Sequence, residues 1–136
     1  MNLKSLPIET IEKIMDNLTV DISFVDANDT VKYFNSPKRG RIFPRTKMDI
    51  GRKVQNCHPK KSLDMVNKIL DDFKAGKRED APFWLQLGDK FIYINYFPVR
   101  DNEGNYLGTL EVTQDITELR KLEGQKRLLD EIPEDK

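Results

Sequence analysis

The chain has 136 residues, of which 38% are hydrophobic and 34% are charged, and it contains one cysteine and one histidine. This length predicts one domain with a real core and excludes two ordinary domains. No apolar run approaches the roughly 20 residues that a membrane helix needs, and the first ten residues lack the apolar segment of a signal peptide. Since a lone cysteine excludes an internal disulfide, we expect a protein of the reducing cytoplasm that does not associate with membranes.

The formal net charge is zero, but the charges are unevenly distributed along the chain. The segment 32–61 contains ten basic side chains and one acid, Asp49, so it carries a net charge of +9. Such a block favours an anionic partner, for example a carboxylate, a phosphate, the propionates of haem or an acidic protein face. A solvated surface that is balanced by the acidic ends is the alternative. Nucleic acid is disfavoured, because the rest of the chain is acidic and would repel it.

An amphipathic helix is predicted over residues 7–17. Its apolar residues recur at helical spacing and are Ile8, Ile11, Ile14, Met15 and Leu18. The following stretch, VDISFVDANDTVKYFN, alternates apolar and polar residues on both sides of a DAND turn, which predicts a hairpin of two short strands. From Ser36 to Lys53, prolines and glycines interrupt every period, so we expect only loops or short helical turns there.

A second helix is predicted to begin at Pro59 and to end near Gly76. Its apolar stripe contains Leu63, Val66, Ile69, Leu70 and Phe73. Three strand signals follow in APFWLQLG, KFIYINYFPVRD and NYLGTLEVTQD, and the turn DNEG separates the last two. From Ile116 the apolar period becomes helical again, which predicts an exiting helix with a frayed end.

The order of these elements predicts an α+β fold, with a five-stranded antiparallel sheet and helices on one face. An N-terminal amphipathic helix and a C-terminal exiting helix flank the sheet. The concavity between the sheet and the central helix is the expected place for a small ligand.

Three motifs in this order carry a resemblance to a known family. ISFVDANDTVKYFN resembles the first hairpin of a PAS domain, and DIGRKVQNCHPKKSLDMV resembles the stretch that leads through a His-Pro pair into its central helix. GNYLGTLEVTQDITELRKLEG resembles the final PAS strand with its closing Asp-Ile-Thr and exiting signalling helix. The resemblance implies a flanking helix at 1–18, a PAS domain at 19–117 and a signalling or linker helix with a frayed tail at 118–136.

A narrower resemblance comes from RIFPRT, GRKVQNCHPKKS, FWLQLGDKFIYINYFPVRD and GTLEVTQDIT. These stretches resemble the PAS region of an uncharacterised bacterial and archaeal family that often accompanies a hemerythrin-like module. We expect no such module here, because one histidine cannot supply its ligand set. The resemblance implies a sensing or signal-relay module without an assigned ligand.

Cys57 and His58 are the first candidate site residues. A nucleophilic thiol needs a base, but consecutive side chains diverge and no third group is evident to orient the imidazole. A structural or redox-sensing cysteine is therefore favoured over a catalytic one. His58 is favoured as the start of the central helix, with its ring bonded to nearby backbone.

The alternative role for His58 is that of an axial haem ligand, which some haem-binding PAS proteins take from this part of the chain. The basic block would then face the propionates, and Cys57 is the less favoured ligand. One histidine and one cysteine cannot complete a zinc site, so His58 is a metal ligand only if haem is bound.

Flavin is disfavoured, because Cys57 lies several residues too late after Gly51-Arg52 for the photoactive cysteine of light-sensing PAS domains, and Thr113 stands where they have a glutamine.

Four further residues are candidates for ligand binding. Asn95 is a polar side chain within an aromatic strand and needs a partner, which is either a ligand or backbone. Arg39, Arg41 and Arg45 lie in a loop from which they can meet a carboxylate or a phosphate, although loop arginines are usually solvated.

The sequence thus predicts a non-enzymatic, homodimeric sensory module that binds a small ligand between the central helix and the sheet and signals through its last helix. The output would belong to a partner signalling protein or to a longer parent chain. A haem-based gas or redox sensor, a thiol-based enzyme or redox switch, and a ligand-free dimerisation module are the alternatives.

Overall fold

Five strands form one antiparallel sheet in the computed structural model, which describes residues 2–130 of the chain. The strands are β1 (Asp21–Asp26), β2 (Val31–Phe34), β3 (Phe83–Leu87), β4 (Lys90–Arg100) and β5 (Tyr106–Asp115). Their spatial order is β2-β1-β5-β4-β3, so the first and last strands are neighbours at the centre. This arrangement confirms the predicted fold class.

The turns that close the hairpins follow the local chemistry that the sequence predicts. The carboxylate of Asp26 accepts hydrogen bonds from the backbone N–H groups of Asn28 and Thr30 at 2.9 and 3.0 Å. In the β4–β5 turn, Asp101 accepts from the N–H groups of Glu103 and Asn105, both at 2.9 Å. Aspartate side chains that bond to the backbone two or more residues later favour turns over continued strands.

Two α-helices accompany the sheet, and both lie where the hydrophobic periodicity predicts them: α1 (Ile8–Asp16) and α2 (Lys60–Lys74). Short 3₁₀ turns occupy Leu3–Ser5, Lys47–Asp49, Val54–Cys57 and Leu119–Lys121. On α2, the stripe residues Leu70 and Phe73 are buried, whereas Val66 and Ile69 are only half-buried. The C-terminal half of α2 is therefore fixed in the core. The same core contains Ile92 and Ile94 of β4.

Asn35 fixes the N-terminal part of the chain. Its side chain is 1% exposed and donates to the carbonyls of Met15 and Val20, both at 3.0 Å, while its amide oxygen accepts from the N–H of Ile22 at 2.7 Å. One buried amide thus joins the end of α1 to β1.

The predicted exiting helix is wrong for residues 118–130, where the only helical element is the 3₁₀ turn Leu119–Lys121. Leu119 and Leu122 are exposed there, and Gly124 has φ 65°. A short isolated helix is marginal in water when its apolar face has nothing to cover it, which explains why the periodicity alone is insufficient. The predicted frayed end at 131–136 lies outside the described residues.

Within residues 2–130, no helix has the length and apolar character that crossing a membrane requires.

Candidate functional site

A groove of about 910 Å³ lies between α2, the loop before it and the strands β3, β4 and β5. Most of its lining is apolar, and it includes Phe43, Pro44, Pro59, Met65, Val66, Ile69, Pro82, Phe83, Leu85 and Ile94. A smaller cavity of about 40 Å³ continues beneath it, between α2 and the hairpin. The two spaces share Arg45, His58, Val66, Ile69, Tyr96 and Glu111. The half-buried side of α2 thus faces a space of the size that small-molecule sites have.

Arg45, Glu111 and Tyr96 form one polar cluster in the lining. Tyr96 on β4 pairs directly with Glu111 on β5, which places both side chains on the same face of the sheet. Nη2 of Arg45 lies 3.6 Å from Oε1 of Glu111, and the two side chains are 13% and 18% exposed. Nε of Arg45 is buried and has no hydrogen-bond partner in the described part of the chain. Burial, and then the charge of Glu111, raise the pKa of Tyr96, so its hydroxyl stays protonated and remains a donor.

His58 and Cys57 lie at the mouth of the groove, where the 3₁₀ turn Val54–Cys57 ends and α2 begins. Nδ1 of His58 lies 3.0 Å from the carbonyl oxygen of Val54. Because that oxygen only accepts, Nδ1 donates this hydrogen bond, and Nε2 is the ring nitrogen that is left for another partner. Sγ of Cys57 contacts the carbonyl of Lys53 at 3.8 Å, so the two neighbouring side chains bond to different backbone groups. No cluster of three or more metal-ligating side chains occurs among residues 2–130.

Arg41 is bound to the protein itself instead of lining the groove. Its guanidinium donates to the carbonyls of Phe43, Ile22 and Asn35 at 3.1, 3.2 and 2.9 Å, and to Oγ of Ser23 at 3.2 Å. It also stacks over the ring of Phe34 at 5.4 Å. With these donors occupied, Arg41 organises the loop before α2.

Arg39 and Asn95 also lie away from the groove. Arg39 is exposed and donates to the carbonyl of Thr19 at 3.0 Å. The amide oxygen of Asn95 accepts from the N–H of Ala81 at 3.0 Å, so the partner that its burial requires is backbone. Of the six candidate residues, the structure brings Arg45, Cys57 and His58 together and leaves the other three apart.

Sequence reasoning missed Glu111 and did not place Tyr96 among the site residues. A usable signal was present for Glu111, because it is the one acid between Leu110 and Val112 and so faces the opposite side of the strand. Arg78 was missed as well. It lines the groove, but its guanidinium is taken by Asp72, to which Nε and Nη2 donate at 3.2 and 3.1 Å.

The C-terminal latch, residues 115–117, ties the end of β5 to the start of β4. The N–H of Ile116 donates to the carbonyl of Phe91 at 2.9 Å, and the N–H of Phe91 donates to Oγ1 of Thr117 at 2.8 Å. Hydrogen bonds from the hydroxyl and N–H of Thr117 hold the pKa of Asp115 below its ordinary value. The guanidinium of Arg120 then stacks 3.7 Å from the ring of Phe91. The Asp-Ile-Thr motif therefore anchors the segment to the sheet.

A family model described as a PAS domain matches residues 11–117. The C-terminal domain of a protein from Streptococcus mutans is 36% identical, with a TM-score of 0.80, over 87% of this chain and 91% of that chain. The PAS domain of a protein from Colwellia psychrerythraea is 16% identical with a TM-score of 0.58, and the match covers 82% of this chain and 98% of that one. A sensory box sensor histidine kinase from Vibrio cholerae is 12% identical with a TM-score of 0.57, over 80% and 90% of the two chains. No curated protein matches the sequence. The narrower resemblance to the hemerythrin-associated family stays a prediction.

Proposed function

Because this chain belongs to the PAS domain family, whose members are typically sensory modules, we propose that it binds a small ligand in the groove and relays occupancy to the C-terminal latch. The observation that carries this proposal is the groove itself, which combines an apolar lining with the convergent polar groups of Arg45, Glu111 and His58. Apolar concavities with a few placed polar groups are the usual form of small-molecule sites.

Two strands connect the groove with the latch. Glu111 lines the groove and Asp115 begins the latch, and both belong to β5. Tyr96 lines the groove on β4, whose second residue, Phe91, holds Thr117. A ligand that shifts the paired Tyr96 and Glu111 changes the geometry of both strands that meet at the latch. This shared framework gives a physical route for the signal.

Filling the groove with a side chain tests the relay without knowledge of the ligand. Val66→Trp places an indole where α2 faces the groove, and we expect altered hydrogen exchange at the Ile116 amide, which bonds to Phe91. Met48→Trp is the control, because Met48 is 83% exposed and lies outside the groove. Unchanged exchange at Ile116 in a folded Val66→Trp protein would remove the relay from the proposal.

Haem is a second candidate ligand, and the tautomer of His58 favours it. The hydrogen bond from Nδ1 to a backbone carbonyl fixes the ring and leaves Nε2 for a metal, which is the usual arrangement of a metal-bound histidine. His58 would hold the iron, and Arg45 would meet a propionate; Cys57 is the alternative ligand. Bound haem would supply gas or redox sensing. A Soret band in reconstituted protein that is lost in His58→Ala supports this candidate, and absence of the band rejects it.

The proposed assembly is a homodimer. Exposed apolar side chains on the N-terminal segment support it, including Leu3, Ile8 and Ile14, which are 61%, 72% and 45% exposed. Trp84 is 61% exposed and stacks on Tyr93 at 6.2 Å on the side of the sheet away from the groove.

The output belongs to a partner protein or to a longer parent chain. A free thiol at Cys57 agrees with the cytoplasmic location that we propose.

A further inference from the structure

The guanidinium of Arg45 lines the groove, where its buried Nε has no hydrogen-bond partner within the described residues and its Nη2 is ion-paired with Glu111 at 3.6 Å. We propose that the ligand is a small monocarboxylate with an apolar body, whose carboxylate binds the Nε and Nη2 atoms of Arg45. This inference rests on the proposed function, since it names the class of ligand that the groove takes.

The geometry of the Arg45 guanidinium is the first support for a carboxylate ligand. Nε is buried and unpartnered within the described residues, and Nη2 lies 3.6 Å from Glu111, which is beyond hydrogen-bond distance. These two nitrogens form the edge of a guanidinium that binds a carboxylate through two parallel N–H···O bonds. A buried guanidinium N–H without a partner is costly, so a ligand that fills this edge gains free energy from it.

The other arginines near the groove are the second support, because each is already bonded to another group of the protein. Arg78 lines the groove, but Asp72 accepts from its Nε and Nη2. Arg41 is bound to backbone carbonyls and to Ser23. An anion in the groove therefore meets Arg45 as its cation.

Glu111 selects against highly charged ligands. Its carboxylate lies beside Arg45 and would repel the second negative charge of a phosphate more strongly than it repels a single carboxylate. Most of the remaining lining, including Met65, Val66, Ile69 and Leu85, is apolar and fits a hydrocarbon or aryl body. The combination describes an amphipathic monoanion.

Glu111 also acts as the internal competitor of the ligand. When a ligand carboxylate binds this edge of Arg45, Glu111 has to move away from Nη2, and its cross-strand partner Tyr96 offers a protonated hydroxyl on the same face of the sheet. Neutralising Glu111 should therefore strengthen carboxylate binding, whereas removing the charge of Arg45 should weaken it. These opposite signs separate a specific effect from a general loss of folding.

Isothermal titration calorimetry with octanoate and its neutral analogue octanamide tests the inference. We expect wild type to bind octanoate about tenfold or more tightly than octanamide, since hydrogen bonds to charged groups contribute roughly this factor. Arg45→Gln should abolish the preference, and Glu111→Gln should tighten octanoate binding. Arg39→Gln is the control, because Arg39 is exposed and lies outside the groove.

The possible results separate this inference from the proposed function. Equal affinities of wild type for the two probes, or octanoate binding that survives Arg45→Gln unchanged, would overturn the carboxylate assignment. If octanamide binds equally well and Val66→Trp abolishes its binding, the groove remains a ligand site of different chemistry. If neither probe binds to the folded protein, an apolar monocarboxylate is rejected, while the mass of any ligand retained by the purified protein still decides the proposed function.

Discussion

The backbone N–H of Phe91 donates a hydrogen bond to Oγ1 of Thr117, 26 residues later in the chain, at 2.8 Å. The same hydroxyl donates to Asp115, so one side chain accepts from β4 and donates to the end of β5. Because β4 and β5 also supply Tyr96 and Glu111 to the groove, this contact joins the proposed ligand site to the segment that leaves the domain.

Replacement of Thr117 by valine should loosen this latch. Thr117→Val keeps the shape of the side chain but leaves the Phe91 N–H without its acceptor, so we expect a loss of about 1–2 kcal/mol in the free energy of unfolding. Urea unfolding measures it. Thr10→Val is the matched control, since Thr10 is exposed on α1. Equal stability of the two variants would contradict the role of the latch.

Asn35 should be among the most sensitive polar positions of the fold. Asn35→Ala leaves the carbonyl of Val20 and the N–H of Ile22 without these partners, whereas the carbonyl of Met15 still accepts from the N–H of Leu18; each unpaired buried group costs about 1–3 kcal/mol. We therefore expect a loss of roughly 3 kcal/mol or more in chemical denaturation. Asn102→Ala, at an exposed turn position, should change the stability by less than about 0.5 kcal/mol. A small effect at Asn35 would mean that α1 is not held by this amide.

The ion pairs of Asp72 predict a dependence of stability on pH. A hydrogen bond from Lys68, followed by one from Arg78, holds the pKa of Asp72 below its ordinary value, although burial acts in the opposite direction. A carboxylate whose pKa is lower in the folded state stabilises the protein above the unfolded pKa of about 3.9, and this contribution is lost as the pH falls through the folded pKa.

Asp72→Asn should therefore be less stable than wild type at pH 7, and the difference should shrink as the pH falls below about 4. Urea unfolding at pH 7, 5 and 3 measures this trend. Asp71→Asn, which changes an exposed carboxylate on the same helix, is the control. A difference between Asp72→Asn and wild type that stays constant from pH 7 to pH 3 would rule out this ion-pair network as the cause.

The proposed homodimer depends on the apolar face of α1. Glutamates at Ile8 and Ile14, which are 72% and 45% exposed in the single chain, would place charges in that interface. We expect light scattering after gel filtration to give a dimer for wild type and a monomer for Ile8→Glu/Ile14→Glu. Met48→Glu should remain dimeric. A wild-type monomer, or a double variant that still dimerises, would exclude this interface.

The sequence predicts elements well where the determining interactions are local. Asp26 and Asp101 close their turns with their own side chains, and the stripe that ends in Leu70 and Phe73 places α2 correctly. The segment after Ile116 has the same kind of periodicity, but Leu119 and Leu122 remain exposed among residues 2–130, where no apolar surface covers them. Periodicity reports what a helix would bury and does not report whether a surface is present to bury it.

The site is harder to predict than the fold, because tertiary contacts decide which of the candidate residues reach the groove. Arg41 and Arg45 lie four positions apart in the same loop, yet the first is engaged by Ile22 and Asn35 while the second reaches the groove. The amide oxygen of Asn95 accepts a hydrogen bond from the N–H of Ala81, and no local sequence pattern indicates this contact. Glu111 enters the site only through its pairing with Tyr96 on the neighbouring strand.

Native mass spectrometry of freshly purified protein tests most directly whether the groove is a ligand site. We expect a complex that carries an additional small mass, which is released on denaturation and is absent from Val66→Trp. Protein that retains no additional mass, in wild type and variant alike, would contradict ligand binding, and a dimer in the same spectrum would then favour a ligand-free dimerisation module.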